Sequence, residues 1–145
     1  MPAATAFQQL SGLVGTWRNA DRPNAPLRIR FFLAVGDTVL VESCERAGEP
    51  HSLTLYHRDG ETLFATHYCP PGNQPRLTLT PDVQTLTFIF RDATDLTDGD
   101  FHLHDLSFDV TDASRPIWGE TYRRGSTAED TILRLSREAP APTRR

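Results

Sequence analysis

Short runs rich in Val, Ile, Thr, Phe, Tyr and Leu follow one another along most of this chain, and they constrain its fold more than any other feature. Gly, Pro, Asp and Asn interrupt these runs at intervals of roughly ten residues, which is the pattern of an all-β protein. The predicted strands are Val14–Asn19, Leu27–Ala34, Thr38–Glu45, His51–His57, Thr62–Cys69, Arg76–Thr80, Thr85–Arg91, Phe101–Val110, Ile117–Arg123 and Thr131–Arg137. One segment, Thr5–Gly12, has the apolar spacing of a short amphipathic helix and ends in glycine.

The connections between these runs predict how the strands pair. Val35–Asp37, Arg58–Glu61 and Pro81–Val83 are short, and Asp-Gly between two strands favours a hairpin. Consecutive strands are therefore expected to pair antiparallel. Such a meander leaves two long edges unless its last strand closes on the first, so we expect a closed up-and-down antiparallel β-barrel of about ten strands with a short N-terminal helix. A two-sheet sandwich is the alternative.

Length and charge limit the domain organisation and the classes of partner. The chain has 145 residues, of which 38% are hydrophobic, and this is enough to bury one core. We expect one lipocalin-like barrel domain over residues 1–138 and a flexible, proline-rich tail over residues 139–145. The net charge is −4 and the basic residues are scattered, so no nucleic-acid partner is expected.

The expected location is the cytoplasm. The first residues lack the pattern of a secretory signal, and no apolar run is long enough to span a bilayer, so no membrane partner is expected. The chain has two cysteines, Cys44 and Cys69, which are too few for a disulfide scaffold. In a reducing compartment both are expected to be free thiols.

A Gly-x-Trp sequence at Gly15 and Trp17 follows the predicted helix, and two arginines lie on the last predicted strand. A guanidinium stacked on an indole seals one end of a barrel through cation–π and apolar contacts. Strand alternation groups Arg137 with Leu135, so Arg137 is favoured over Arg134 as the partner of Trp17. This pattern resembles the calycin signature, and the resemblance implies a lipocalin-like barrel in which Trp17 and Arg137 are structural. The Thr-Asp-Tyr motif of lipocalins is absent.

The middle of the chain carries a second pattern. Tyr-His-Arg-Asp-Gly at residues 56–60 is followed by Thr-His-Tyr-Cys-Pro-Pro-Gly-Asn-Gln-Pro-Arg at 66–76 and by His-Leu-His at 102–104. These segments resemble an uncharacterised bacterial family of small β-barrel proteins with a Thr-His-Tyr-Cys-x-x-Gly-Asn-Gln-Pro-Arg segment and a His-x-His strand. The resemblance covers about residues 39–137 and implies a shared pocket, but it implies no particular activity.

Four of the five histidines share a strand face with apolar residues of the predicted fourth, fifth and eighth strands. Since alternate residues of a strand point to the same side, these imidazoles are expected to converge on one interior cavity. In the loop after the fifth strand, amide and guanidinium groups are suited to orient a polar group, although local turn capping is the simpler interpretation. The candidate ligand-binding residues are His57, His67, Cys69, Asn73, Gln74, Arg76, His102 and His104.

Three other uses of these side chains stay open. His102 and His104 lie two apart on one strand, a spacing that allows them to share a metal ion, with His67, Cys69 or His57 as a third ligand and His67 as the favoured one. Haem is another use of an interior histidine, although the later glycines of small haem-binding barrels are missing. His67 shares a face with Cys69, and an imidazolium beside a thiol lowers its pKa and creates a nucleophile.

These patterns predict a protein that binds a small, partly apolar molecule in the barrel cavity, oriented by interior histidines and polar loop residues. The alternatives are an enzyme that uses the His and Cys side chains for acid–base or metal-assisted chemistry, and a metal- or haem-binding barrel. The sequence identifies neither the ligand nor a cofactor, and it leaves open whether the chain forms a homodimer.

Overall fold

The computed structural model describes residues 1–81 and 85–139, and in it ten strands close into one antiparallel barrel. Each strand pairs with its neighbours in sequence, and the first strand pairs with the last. The strands are β1 (Gly15–Asn19), β2 (Leu27–Ala34), β3 (Val39–Arg46), β4 (Glu49–Asp59), β5 (Thr62–Tyr68), β6 (Gln74–Leu79), β7 (Leu86–Thr94), β8 (His102–Asp109), β9 (Ile117–Arg124) and β10 (Thr127–Arg137). The predicted up-and-down barrel is confirmed, and each predicted strand is present with small differences at its ends.

One helix, α1 (Ala3–Ser11), precedes the barrel in the described part of the chain, as predicted. At nine residues it is too short to cross a membrane, and the described residues contain no helix that could do so. The predicted turn at Pro81–Val83 and the predicted tail lie outside the described residues except for Pro81 and Ala139.

One end of the barrel is closed by α1 and by the start of β1. Ala6 and Leu10 of the helix are fully buried in the hydrophobic core, and the helix contacts β2, β4 and β5. Next to it, the indole Nε1 of Trp17 donates a 2.8 Å hydrogen bond to the carbonyl oxygen of Leu13. The apolar face of the helix therefore covers this end of the core.

Closure of the barrel places Arg137 of β10 directly opposite Trp17 of β1. The guanidinium lies 4.2 Å from the centre of the indole ring and donates a 2.7 Å hydrogen bond to the carbonyl oxygen of Val14. Gly15 makes this approach possible, because a Cβ at that position would collide with the guanidinium and because its φ of 133° is unfavourable for other residues. This is the contact expected from strand alternation, whereas Arg134 is exposed and pairs with Asp21.

The centre of the barrel is filled by aromatic side chains. Phe31, Tyr56, Phe88 and Phe108 are fully buried, and their rings meet edge to face with centroids 5.4 to 6.2 Å apart. Such pairs contribute about 0.5 to 1.5 kcal/mol beyond the burial of their area. These rings therefore fill the middle of the barrel interior.

Candidate functional site

A cavity of about 360 Å³ opens at the end of the barrel opposite α1, where β2 begins and β3 ends. Its wall includes side chains from β3 and β9 and from the segments that follow β5 and precede β8. The residues that line it include Cys44, Cys69, Phe101, Trp118, Glu120 and Tyr122. The cavity is therefore mainly apolar, with a few polar side chains on its wall.

Beneath this wall lies a buried carboxyl group. Glu42 on β3 is 1% exposed, and its Oε1 accepts a 2.8 Å hydrogen bond from the Tyr56 hydroxyl while its Oε2 faces the Cys44 thiol at 3.8 Å. Burial raises the pKa of Glu42 to about 7, although the hydrogen bond from Tyr56 opposes this shift. Near neutral pH, Glu42 exchanges between its protonated and charged forms.

A second carboxyl group, Glu120 on β9, lines the cavity itself. Its Oε2 is shielded from solvent and has no hydrogen-bond partner. Burial raises the pKa of Glu120 to about 8, and the charge of Glu42 adds to the shift. Glu120 is thus mostly protonated at neutral pH, and one of its oxygens is free to interact with a bound molecule.

Trp118 supplies a second unsatisfied polar atom. The residue is 3% exposed and lines the cavity, and its indole Nε1 has no hydrogen-bond partner. It lies close enough to Glu42 to affect the pKa of that carboxyl, yet the two do not meet in hydrogen-bond geometry. Buried donors without a partner are rare in folded proteins, so the Trp118 N–H is one of the few polar atoms at this wall that the protein itself leaves unsatisfied.

His67 lies at the inner side of the same region and is fully buried, as predicted. Its Nδ1 shares a 2.8 Å hydrogen bond with the Thr54 hydroxyl, and its Nε2 shares a 3.0 Å hydrogen bond with the Tyr122 hydroxyl. Burial lowers the pKa of His67 to about 4, so the imidazole is neutral at neutral pH. It therefore orients Tyr122 at the cavity wall.

The two cysteines are free, as predicted, but neither is activated as a nucleophile. Burial raises the pKa of the Cys69 thiol, and burial together with the charge of Glu42 raises that of Cys44. The expectation that His67 would lower the pKa of Cys69 fails because the buried imidazole is neutral.

His57 lies outside the barrel, so the expectation of four converging imidazoles is wrong. The predicted phase of β4 placed His57 inward with Leu53 and Leu55, but Thr54 and Tyr56 are the buried residues of this strand. Their hydroxyl groups bond to His67 and Glu42, which makes a polar inner face stable. His57 is exposed and stacks on Phe64 with ring centroids 5.5 Å apart.

His102 and His104 also do not border the cavity. The pairing of β8 with β9 passes from Leu103 to Asp105, so His104 is the extra residue of a β-bulge. A bulge reverses the alternation beyond it, and Leu103 rather than the two histidines reaches the core. Both imidazoles are half-buried and pack against Phe90.

The predicted metal set of His102, His104 and His67 is not assembled. The first two rings lie 6.0 Å apart, but both nitrogens of His67 are engaged by Thr54 and Tyr122. Within residues 1–81 and 85–139, no three His, Cys, Asp or Glu side chains are arranged to hold a metal ion. For the same reason the buried imidazole offers no free nitrogen to a haem iron.

The polar loop residues take structural positions. Asn73 is 1% exposed and its Nδ2 donates a 3.0 Å hydrogen bond to the Phe101 carbonyl oxygen. Gln74 caps the turn by donating from Nε2 to the Gly72 carbonyl oxygen at 2.9 Å. Arg76 forms a two-pronged ion pair with Asp92 and is exposed on the outer surface. Of the eight predicted ligand-binding residues, Cys69 lines the cavity and His67 supports its wall.

Sequence reasoning missed Glu42, Trp118, Glu120 and Tyr122. A signal was present in β9, where alternation places Trp118, Glu120 and Tyr122 on one face. Another was the acidic Glu42 within the run Val-Leu-Val-Glu-Ser-Cys at residues 39–44. An acidic residue on the same face as apolar ones is a pointer to a functional interior.

Comparison with protein-family models and with curated proteins finds no significant match to this chain.

Proposed function

We propose that the protein binds a small, partly apolar molecule in the cavity at the open end of the barrel. The observation that carries this proposal is the pair of solvent-shielded atoms on the cavity wall, Trp118 Nε1 and Glu120 Oε2, that have no partner. The volume of about 360 Å³ lies within the range of small-molecule sites. A barrel closed by a helix at one end and open at the other also supports the resemblance to lipocalin-like proteins.

The alternative in another class is an enzyme that uses this cavity. The observation favouring it is Glu120, whose pKa of about 8 suits a general acid near neutral pH. In an enzyme, Glu120→Gln would abolish turnover and leave substrate binding detectable. In a binding protein the same change alters affinity alone.

Blocking the cavity tests the proposed function. Cys69 lines the cavity and is half-buried. Cys69→Trp therefore fills part of the cavity entrance with an indole ring, whereas Cys69→Ser leaves the entrance open. The probe is N-phenyl-1-naphthylamine, a neutral apolar fluorophore whose emission rises on transfer from water. We expect wild type and Cys69→Ser to bind it alike, and Cys69→Trp to lose about tenfold or more in affinity, which is about 1.4 kcal/mol.

Circular dichroism of the three proteins serves as the folding control. Equal probe affinity in a folded Cys69→Trp variant would show that the probe binds elsewhere. Absence of binding to the wild-type protein would contradict the proposed function directly.

A further inference from the structure

We propose that the ligand of this cavity is an organic cation, a protonated amine on a small apolar or aromatic body, and that Glu120 binds its nitrogen. The inference rests on the proposed function, since it names the class of molecule that the same cavity takes. It follows from three features of the cavity: an unpaired acid, an unpartnered buried donor and an aromatic wall.

The first feature is a pair of buried acids without a basic partner. Glu42 and Glu120 both lie at the open end, and no described Lys, Arg or His forms an ion pair with either of them. The basic residues that border the cavity, Arg46 and His51, are exposed at its rim. Inside, protons keep the two acids largely neutral, and a ligand cation would replace such a proton.

The two acids are not equivalent, and the difference singles out one of them. Glu42 accepts a hydrogen bond from Tyr56 and faces the Cys44 thiol, so its oxygens are occupied within the protein. Glu120 has a shielded oxygen without a partner and lines the cavity. An ammonium group donates up to three hydrogen bonds and carries the charge that this carboxylate lacks nearby.

The second feature is a buried donor beside Glu42. Trp118 is almost completely buried at the cavity wall, and its N–H is unpartnered. A donor left unsatisfied by the protein costs stability, on the order of 1 to 3 kcal/mol. Such a cost is offset when a bound molecule supplies an acceptor atom. The cavity is therefore organised for a ligand and is more than a solvated group of acids.

The third feature is the aromatic composition of the wall. Trp118, Tyr122 and Phe101 all line the cavity, and the rings of Phe101 and Tyr122 stack with centroids 4.9 Å apart. Aromatic faces attract cations, and Arg124 already lies 5.6 Å from the centre of the Phe101 ring. A ligand cation favours the charged form of Glu120, whereas an anionic ligand disfavours it and a neutral one leaves the proton in place.

The test compares three probes of nearly equal shape at pH 7.5 by titration calorimetry. They are 1-naphthylmethylamine, which is cationic, 1-naphthylmethanol, which is neutral, and 1-naphthylacetate, which is anionic. We expect the wild-type protein to bind the amine about tenfold or more tightly than the alcohol, a difference of about 1.4 kcal/mol, and the acetate most weakly.

Two variants separate the role of Glu120 from that of net charge. Glu120→Gln should reduce the preference for the amine to about threefold or less while the alcohol still binds, which shows that the cavity is intact. Glu49→Gln removes an equal charge from an exposed position at the same end of the barrel, and it should keep the wild-type preference.

The outcomes distinguish the two proposals. Equal binding of amine and alcohol by the wild type, tighter binding of the acetate, or an unchanged preference in Glu120→Gln would overturn the cation assignment and leave cavity binding standing. Failure of all three probes to bind would overturn the proposed function and the assignment together.

Discussion

At the scale of single residues, the burial of Glu42 and Glu120 is unfavourable for their charged forms. Both carboxyl groups are removed from water, and neither has a cation beside it in the described part of the chain. Burial disfavours the charged form of an acid, which raises its pKa above the ordinary value near 4.5. Groups held in such an environment are common at functional sites, where they are retained for binding or catalysis.

The raised pKa of Glu120 predicts how stability depends on pH. Its folded-state pKa of about 8 exceeds the unfolded value of 4.5, so its favourable contribution is complete below pH 4.5 and is lost as the pH rises through 8. A glutamine at position 120 does not ionise, so Glu120→Gln should lie within about 1 kcal/mol of wild type at pH 5 and exceed it by about 4 to 5 kcal/mol at pH 9, since the pKa is raised from 4.5 to about 8 and one pKa unit corresponds to about 1.4 kcal/mol. Urea unfolding at both pH values measures this difference.

Two further comparisons of urea unfolding assign the pH dependence to Glu120. The exposed variant Glu49→Gln should follow wild type at both pH values, whereas Glu120→Gln should retain the smaller decline that Glu42 causes. A Glu120→Gln protein that is no more stable than wild type at pH 9 would show that the carboxyl group is solvated and that the cavity is open to water.

At the same scale, the sequence predicted the position of His67 but not those of the two acids. His67 alternates with Leu63 and Ala65, so its burial follows from the pattern of β5. Glu42 and Glu120 are missed because acidic residues are nearly always exposed, and pattern analysis treats them so. Their burial depends on partners such as Tyr56 that only the folded barrel brings near.

At the scale of secondary-structure elements, the contact between β1 and β10 decides whether the sheet closes. Arg137 links the two strands by stacking on Trp17 and by donating hydrogen bonds to the carbonyl oxygens of Val14 and Gly12. A stacked guanidinium with backbone acceptors is a fixed arrangement, which a lysine ammonium does not reproduce. Closure also leaves neither of these strands with a free edge.

Removal of this contact should be measurable in thermal unfolding. Arg137→Ala is expected to destabilise the protein by about 1 to 3 kcal/mol, since it removes a cation–π contact and hydrogen bonds from a charged donor. Arg134→Ala is the matched control on the same strand, because it removes an exposed ion pair with Asp21 that contributes about 0 to 1 kcal/mol. A larger loss for Arg134→Ala than for Arg137→Ala would contradict this account of closure.

The sequence predicts the number and order of the strands correctly, but it does not predict which side chains of β4 and β8 point into the barrel. Strand number and order follow from the spacing of apolar runs and turns, which is why the barrel was predicted. To predict which side chains point inward, one must know which residue of each strand comes first on the inner face. A single extra residue in the strand reverses this alternation. The bulge at His104 and the polar inner face of β4 are such cases, so His57, His102 and His104 were misplaced.

At the scale of the whole molecule, the two ends of the barrel have different tasks. The end covered by α1 contains Trp17 and the buried face of the helix, and it supplies stability. The other end contains the carboxyl groups, His67 and the cavity, and its polar groups are only partly satisfied within the protein. This division of the barrel, with a closed apolar end and an open end that holds the cavity, is what a ligand-binding barrel requires.

The two tryptophans report on the two ends separately, and one measurement uses this. In a ¹H–¹⁵N correlation spectrum the indole N–H of Trp17, bonded to Leu13, and that of Trp118, which is unpartnered, give two side-chain signals that Trp118→Phe assigns. Titration with 1-naphthylmethylamine should shift the Trp118 indole signal and leave that of Trp17 in place. A shift of the Trp17 signal alone, or no shift of either signal at saturating probe, would contradict a ligand-binding cavity at the open end.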